Sequence, residues 1–295
     1  MKIAVLLTCF NRIAKTERCL EKLFEQDLPE NTFFKVFICD DNSSDGTGEM
    51  LGKNFPEVVV VKGDGKKFWN GGMRLAWESA IRSDRFDFYL WLNDDTFLEK
   101  DALKKILQDY QLLSSPAILT AACKRPNSEE FSYGGENIKG FAFPNGSPQR
   151  VSLINGNCSL IPREIVQKIG ILSPKYTHGL GDFDYGLRAI EAGFSCYTTS
   201  EYLAQCELNF NPYWGDPKVP FKKRWELVHN VKGLAIYEYI YFQKRHFGQI
   251  KGIKTWIGTY LRVLFPRFYI LLRNIIQPKT FSIREAPSVI AEKEI

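Results

Sequence analysis

Over its first 122 residues the chain alternates short apolar runs with stretches of helical spacing. Residues 3–8 are apolar almost throughout, as expected of a parallel strand covered on both faces. Residues 16–26 carry Cys19, Leu20, Leu23 and Phe24 at helical spacing, and 34–39 form a second strand run. The polar cluster Asp40-Asp41-Asn42-Ser43-Ser44-Asp45-Gly46 stops that strand and caps a short helix from about Thr47. Residues 58–61, 73–82, 86–92 and 101–112 continue as strand, helix, strand, helix, and Asn93-Asp94-Asp95 ends the fourth strand. This order predicts an α/β fold, a doubly wound, mostly parallel sheet.

Beyond it, 117–122 reads as a strand and 124–152 as hairpins and loops turned at Gly134-Gly135 and Pro144-Asn145-Gly146. Residues 159–161 and 194–198 read as strands, and 163–169 and 184–192 as helices. From Phe221 the pattern turns helical. Residues 222–247 hold Trp225, Val228, Ala235, Ile236, Tyr239 and Ile240 near helical spacing, and 248–277 form another helical stretch broken at Pro266. The expected organisation is a main domain over 1–215, a C-terminal helical extension over 216–278 and a loosely held tail over 279–295.

A chain of 295 residues can bury a core without disulfides or structural metals. Its 44% hydrophobic and 25% charged residues exclude a collagen-like, disordered or fibrous protein. A net charge of +5 is too small to argue for nucleic acid, and none is expected as a partner. It is compatible with nucleotide phosphates or an acidic membrane surface. Seven cysteines, an odd number with no CxxC, predict a reduced, cytoplasmic protein rather than a disulfide scaffold or zinc finger. The apolar opening runs straight into Phe10-Asn11-Arg12 without a small-residue cleavage site, so it reads as a first strand, not a signal peptide.

Ligands of an open parallel sheet bind at the carboxyl ends of its strands, so the loops after strands one, two and four can share one crevice. The first group is Thr8-Cys9-Phe10-Asn11-Arg12 with Asp40 and Asp41. A carboxylate ending the second strand can accept from a base N–H or a ribose hydroxyl, with Asn11 and Arg12 closing over the base; turn and cap chemistry explains the same residues. In the second group, Gly71 and Gly72 open a helix so that backbone N–H groups approach phosphate, and Arg74 adds charge. A tight strand-to-helix turn is the alternative. The third is Asn93-Asp94-Asp95, whose adjacent carboxylates repel and are relieved by a hard cation, Mg²⁺ or Mn²⁺, bridging to a diphosphate. A helix cap is its alternative. The fourth, Thr177-His178-Gly179-Leu180-Gly181-Asp182-Phe183-Asp184-Tyr185-Gly186-Leu187-Arg188, sets a carboxylate beside glycines at a helix start, exposed enough to act as a general base. Asp184 and Arg188, four apart, can pair with each other, which leaves Asp182 the freer group.

Taken jointly, strand–TxFNR, strand–DDNSSDGT, a Gly-rich loop, strand–LNDDT and GDFDYGLR ahead of a helix resemble the glycosyltransferase family 2 group, inverting enzymes of the GT-A fold that use nucleotide-sugar donors. The resemblance covers about residues 1 to 210 and does not reach the C-terminal helices. It implies that Thr8, Phe10, Asn11, Arg12 and Asp40, with Asp41, hold the nucleotide. It makes Asp95 the ligand of Mg²⁺ or Mn²⁺, with Asp94 facing the sugar or ribose, and Gly71, Gly72 and Arg74 at the diphosphate. Asp182 falls on the base position. Asn155 and Asn157 fall near the acceptor, with Trp69 stacking on a sugar or base and His178 and Asp184 as substitute bases; core packing is the alternative for Trp69. Three positions depart from the family pattern. Asn93 replaces the first acid of its Asp-x-Asp signature, Gly181 replaces the first acid of its Glu-Asp-x-Asp motif, and Gln205-Cys206-Glu207-Leu208-Asn209 lacks the histidine that many members use as a metal ligand. Cys206 or Glu207 are the substitutes at hand. The implied reaction moves a sugar from a UDP-, dTDP- or GDP-linked donor to a hydroxyl of a glycan or polyprenyl-linked glycan, of the cell-surface polysaccharide or lipopolysaccharide type.

Residues 256–276 are apolar, aromatic and basic. Arg262, Arg267, Arg273 and Pro266 argue against a spanning helix. Two expectations stand: a helix lying in the membrane interface, which makes the protein peripheral on the inner face of the membrane, or a helix packed on the catalytic domain or in a homodimer. His229 and His246 read as packing or surface residues. Two other function classes compete. A nucleotidyltransferase needs a Gly-rich, basic loop after the first strand, and residues 8–12 contain no glycine. A non-catalytic nucleotide or glycan binder is separated from an enzyme by donor hydrolysis or transfer.

Overall fold

The computed structural model describes residues 1–137, 140–209 and 214–276, so the tail expected over 279–295 lies outside the described residues. The chain divides into two compact units, the first Met1–Leu208 and the second beginning at Asn209.

The first unit opens with β1 (Lys2–Cys9), α1 (Ile13–Phe24), β2 (Phe33–Asp40), α2 (Thr47–Asn54), β3 (Val59–Lys62), α3 (Phe68–Ser83) and β4 (Phe88–Leu92). It continues with β5 (Thr96–Leu98), α4 (Ala102–Gln111), β6 (Ala117–Lys124), β7 (Phe131–Tyr133), β8 (Glu136–Asn137), β9 (Gly140–Phe141) and β10 (Gln149–Val151). β11 (Cys158–Pro162), α5 (Arg163–Ile169), α6 (Gly181–Glu191) and β12 (Ser195–Cys206) complete it. The main sheet runs β10-β12-β6-β11-β4-β1-β2-β3, with β5 on β12 and β7 on β6. β3, β2, β1 and β4 are parallel, β11 is antiparallel to both β4 and β6, and β12 is parallel to β6.

The continuous apolar run of β1 has its expected cause. Ile3, Val5, Leu7 and Cys9 join Leu20 and Leu23 of α1, Leu51 of α2 and Ile106 of α4 in one core. Ala4 and Leu6 join Met73 and Trp77 of α3, Ile165 of α5 and Tyr185 of α6 in the other. Alternate side chains thus enter opposite cores, and neither face is left to water. All seven cysteines are buried free thiols.

Three elements differ from the periodicity. α3 begins at Phe68, not at 73, because a distant carboxylate caps it: Asp41 accepts the N–H groups of Lys67 (2.9 Å) and Phe68 (3.1 Å). β12 extends to Cys206, beyond the expected 198, because its second half gains β5 as a partner, with Ala204 opposite Leu98 and Cys206 opposite Thr96. The single helical stretch expected over 222–247 is two helices, α7 (Phe221–His229) and α8 (Ile236–Phe247). Between them the chain folds back tightly enough that a Cβ on Gly233 would lie 1.9 Å from the Leu227 carbonyl oxygen. α9 (Gln249–Leu264) and α10 (Pro266–Ile276) follow, separated at the expected proline. The second unit has its own small core of Val228, Leu234, Ile236 and Val263.

Candidate active site

The carboxyl ends of β1, β2 and β4 lie side by side, Cys9 pairing with Asp40 and Leu6 with Trp91. The loops after β1 and β2 are stitched together. Asn11, with φ of +50°, donates its N–H to Ser43 Oγ (3.0 Å) and accepts the Ser44 N–H at Oδ1 (2.7 Å). Asp45 accepts the Ile13 N–H (3.0 Å), and Thr8 Oγ1 donates to the Cys39 carbonyl (3.2 Å). Asp40 is buried and accepts the Ser43 N–H (3.0 Å), while Phe10 stands exposed at the rim. This part of the predicted nucleotide side comes together as one loop cluster.

Four expectations are corrected here. Asp41 spends both carboxylate oxygens on backbone N–H groups, those of Gly65 (2.8 Å), Lys67 and Phe68, and so fills the anion site at the start of α3 itself. Gly71 lies inside α3 and donates its N–H to the Lys67 carbonyl (3.1 Å), so it presents no amide to a phosphate. Gly72 serves close packing: a Cβ there would lie 2.0 Å from Thr8 Oγ1. Arg74, expected at the diphosphate, pairs with Glu78 one turn on (3.2 Å).

The acidic pair after β4 is buried, and one guanidinium nitrogen serves both members. Arg12 Nη1 lies 3.0 Å from Asp94 and 2.8 Å from Asp95. Thr16, one turn along from Arg12, donates to Asp94 at 3.4 Å. Burial pushes the Asp94 carboxyl up to about 6; Arg12 opposes that shift and the charge of Asp95 adds to it. Arg12 therefore neutralises the pair rather than closing over a base. Neither Arg12 in this role nor Thr16 was foreseen, although their spacing of four sets both on one helical face.

Two oxygen donors converging on one cationic nitrogen are the right donors for Mg²⁺ or Mn²⁺, which take carboxylates together with substrate phosphates. Among the described residues no group of three or more His, Cys, Asp and Glu side chains converges. Asp95 and Asp94 are thus the side chains here that would hold such an ion. The Cys206 thiol, pushed up to about 12 by burial and by nearby Asp95, donates to the Glu207 carbonyl (3.6 Å).

Asn93, which stands where a first acid was expected, is the hinge of a neutral relay. Its Oδ1 accepts from Trp69 Nε1 (2.6 Å), its Nδ2 donates to Asn157 Oδ1, and its backbone N–H donates to the Asn157 carbonyl (2.9 Å). An aspartate could not make the donation to Asn157. Trp69 stacks edge-on against Trp91 and lies so close over Gly156 that a Cβ there would sit 2.4 Å from Cζ2. Gly156 in turn donates its N–H to Asp182 (3.0 Å), which also accepts from Phe183 (2.9 Å). Two hydrogen bonds and one stacking contact thus link the start of α6 to the acidic pair. Burial pushes the Asp182 carboxyl up to about 6 against these two amides.

Around it, Asn155 accepts the Asn157 N–H (2.9 Å), and the His178 ring meets Phe68 edge-on. Asp184, expected as a substitute base, is corrected to a structural role. It is 2% exposed and held by Arg188 Nε (2.7 Å) and the Tyr176 hydroxyl (3.2 Å). Asn70 is a further residue the motif reading passed over. Fully buried, it donates to the Ser173 and Tyr176 carbonyls (2.8 and 2.7 Å) and fixes the loop that delivers Asp182. A Cβ on Gly181 would strike its Oδ1.

Comparison with known proteins matches residues 4–170, more than half of the chain, to the family model described as glycosyl transferase family 2. The chondroitin synthase of Escherichia coli is 28% identical over 109 residues, 37% of this chain and 15% of that protein. The dolichyl N-acetyl-alpha-D-glucosaminyl phosphate 3-beta-D-2,3-diacetamido-2,3-dideoxy-beta-D-glucuronosyltransferase of Methanococcus voltae is 25% identical over 114 residues, 37% of this chain and 34% of that protein. The matched stretch thus spans about a third or less of these relatives. Among solved structures, the mannosyltransferase PcManGT of Pyrobaculum calidifontis, in complex with GDP-Man and Mn²⁺, aligns with a TM-score of 0.59 at 13% identity over 94% of this chain and 76% of its own. TarS 1-349 of S. aureus, in complex with UDP-GlcNAc, aligns with a TM-score of 0.55 at 15% identity over 95% and 76%. The fold is the GT-A fold, and the chain belongs to glycosyl transferase family 2.

Proposed function

We propose that the chain is an inverting glycosyltransferase that moves a sugar from a nucleoside diphosphate donor to a hydroxyl of a glycan or lipid-linked glycan. One observation carries this reading. The carboxyl of Asp182, its pKa raised by burial, is tied through Gly156 and Trp69 to Asn93, at the head of the acidic pair held by Arg12. The relatives and neighbours support the donor class: one is solved with GDP-Man and one with UDP-GlcNAc.

Asp182 takes the proton from the acceptor hydroxyl as its oxygen bonds to the anomeric carbon. The bond from that carbon to the diphosphate oxygen breaks, and the nucleoside diphosphate leaves with the electron pair. One displacement inverts the configuration, so a single base suffices. Asp40, Asn11 and the exposed Phe10 hold the base and ribose at the stitched loops. Asp95, with Asp94, would hold a divalent ion, which would supply positive charge to the departing diphosphate. Arg12, which pairs with both carboxylates, is the cation nearest to where the diphosphate charge would fall. Trp69, Asn155, Asn157 and His178 line the sugar and acceptor side.

The test is Asp182→Asn, assayed for transfer and for nucleoside diphosphate binding with and without Mn²⁺. Transfer falls by about 10²-fold or more while binding and its Mn²⁺ dependence persist. Substantial residual turnover moves the base to His178. Retained turnover in Asp95→Asn without added metal removes the divalent ion from the reading and leaves the charge to Arg12.

A further inference from the structure

α9 is built the wrong way round for a helix of a water-soluble unit. Its inward positions are small or polar, Gly252, Thr259, Arg262 and Val263, and Gly252 lets α8 approach so closely that a Cβ there would strike the Lys244 side chain. Its large aliphatic residues face water. Ile250, Ile253, Ile257, Leu261 and Leu264 recur at helical spacing along one stripe, from 72% to 42% exposed, with Trp256 beside them. At 1.5 Å per residue the stripe is about 21 Å long. Phe265 and Phe268 continue it around the corner into α10, where a cavity of about 360 Å³ is lined by Arg224, Phe265, Arg267 and Phe268.

Along the chain on either side of this stripe the charge has one sign. Residues 239–271 contain no Asp or Glu but carry Lys244, Arg245, Lys251, Lys254, Arg262 and Arg267. Lys244, Arg245, Lys254 and Arg267 are exposed. A second copy packed through the same face would set these cations against themselves. An anionic surface receives both parts at once, the stripe in its apolar layer and the cations on its phosphates. Among the described residues no helix is long and apolar enough to cross a membrane, so the contact lies along the surface.

We propose that the exposed aliphatic face of α9 docks into the headgroup region of an anionic phospholipid bilayer, with the flanking lysines and arginines on the lipid phosphates. This is independent of the chemistry in the first unit. The test is co-sedimentation of the full chain with phosphatidylcholine vesicles and with phosphatidylcholine–phosphatidylglycerol vesicles, at low and high salt. The protein pellets with the anionic vesicles at low salt and is released at high salt. Lys254→Gln lowers the partition coefficient about fivefold, and Ile257→Asn about tenfold. Both side chains are exposed, and unchanged circular dichroism separates lost docking from lost folding. Equal pelleting with both vesicle types, or none with either, overturns the proposal. So does a dimer, seen by light scattering without lipid, that Ile257→Asn dissociates, because a second copy would then cover the face.

Discussion

Two carboxylates of this protein sit near the middle of the physiological range for the same reason, loss of water, yet they are put to different uses. Asp94 has a cation beside it, so its charge is answered. Asp182 has backbone amides rather than a cation to answer it, and burial outweighs them, so its carboxyl stays up at about 6. A base must be ionised to work. We therefore expect kcat/KM to rise about tenfold per pH unit below about pH 6 and to level off above it. Stability runs the other way. The folded value lies above the ordinary 3.8, so the native state favours the protonated form. That contribution is complete below about pH 4 and is lost as the pH rises through about 6. The Tm of Asp182→Asn minus that of the parent should therefore grow more positive over this window, and a flat difference would show that Asp182 titrates normally. The sequence supplied these acids but, Arg188 aside, not their partners. Asp41, Asp184 and Asp182 look alike as Asx residues near glycines. Only tertiary contacts reveal that the first caps α3 and the third faces the relay from Asn93, whereas the hold of Arg188 on Asp184 is local, four residues on, and was expected from the spacing.

At the scale of elements, what was legible in the sequence was whatever has a local cause. The two-faced burial of β1, the polar stop after β2 and the break at Pro266 all follow from residues within a few positions of one another. The early start of α3, the second half of β12 and the split between α7 and α8 were hidden because each depends on a group far away in sequence or on a close approach. Glycines show the difference directly. Gly72 reads as part of a phosphate loop but is where α3 meets Thr8. Gly72→Ala should destabilise by about 2 kcal/mol, because the methyl group meets Thr8 Oγ1 inside a packed core. Gly52, in α2, has nothing within 4 Å of its added Cβ. Gly52→Ala should instead stabilise by about 0.5–1 kcal/mol through helix propensity and a stiffer unfolded chain. Urea denaturation of the two variants checks both signs, and similar ΔΔG values for the pair would mean that close packing at Gly72 is not what the position requires.

For the whole molecule, the question is whether the two units depend on one another. Both faces of the main sheet are covered by helices of the first unit, α1, α2 and α4 on one side and α3, α5 and α6 on the other. Every residue of the loop cluster, the acidic pair and the relay to Asp182 precedes Leu208. The second unit has a core of its own, and it is here that the large apolar residues of α9 face water. The proposed chemistry and the proposed surface attachment are thus divided along the chain. A chain ending at Leu208 should melt in one cooperative transition and bind nucleoside diphosphate as the full chain does, because the hydrogen bonds described above for the site all join residues before Leu208. It should also lose the pelleting with anionic vesicles, which belongs to α9. Thermal melting, calorimetric titration and co-sedimentation read these three outcomes separately. Loss of nucleotide binding in a shortened chain that still melts cooperatively would mean that the helical unit completes the donor site rather than delivering it to a surface.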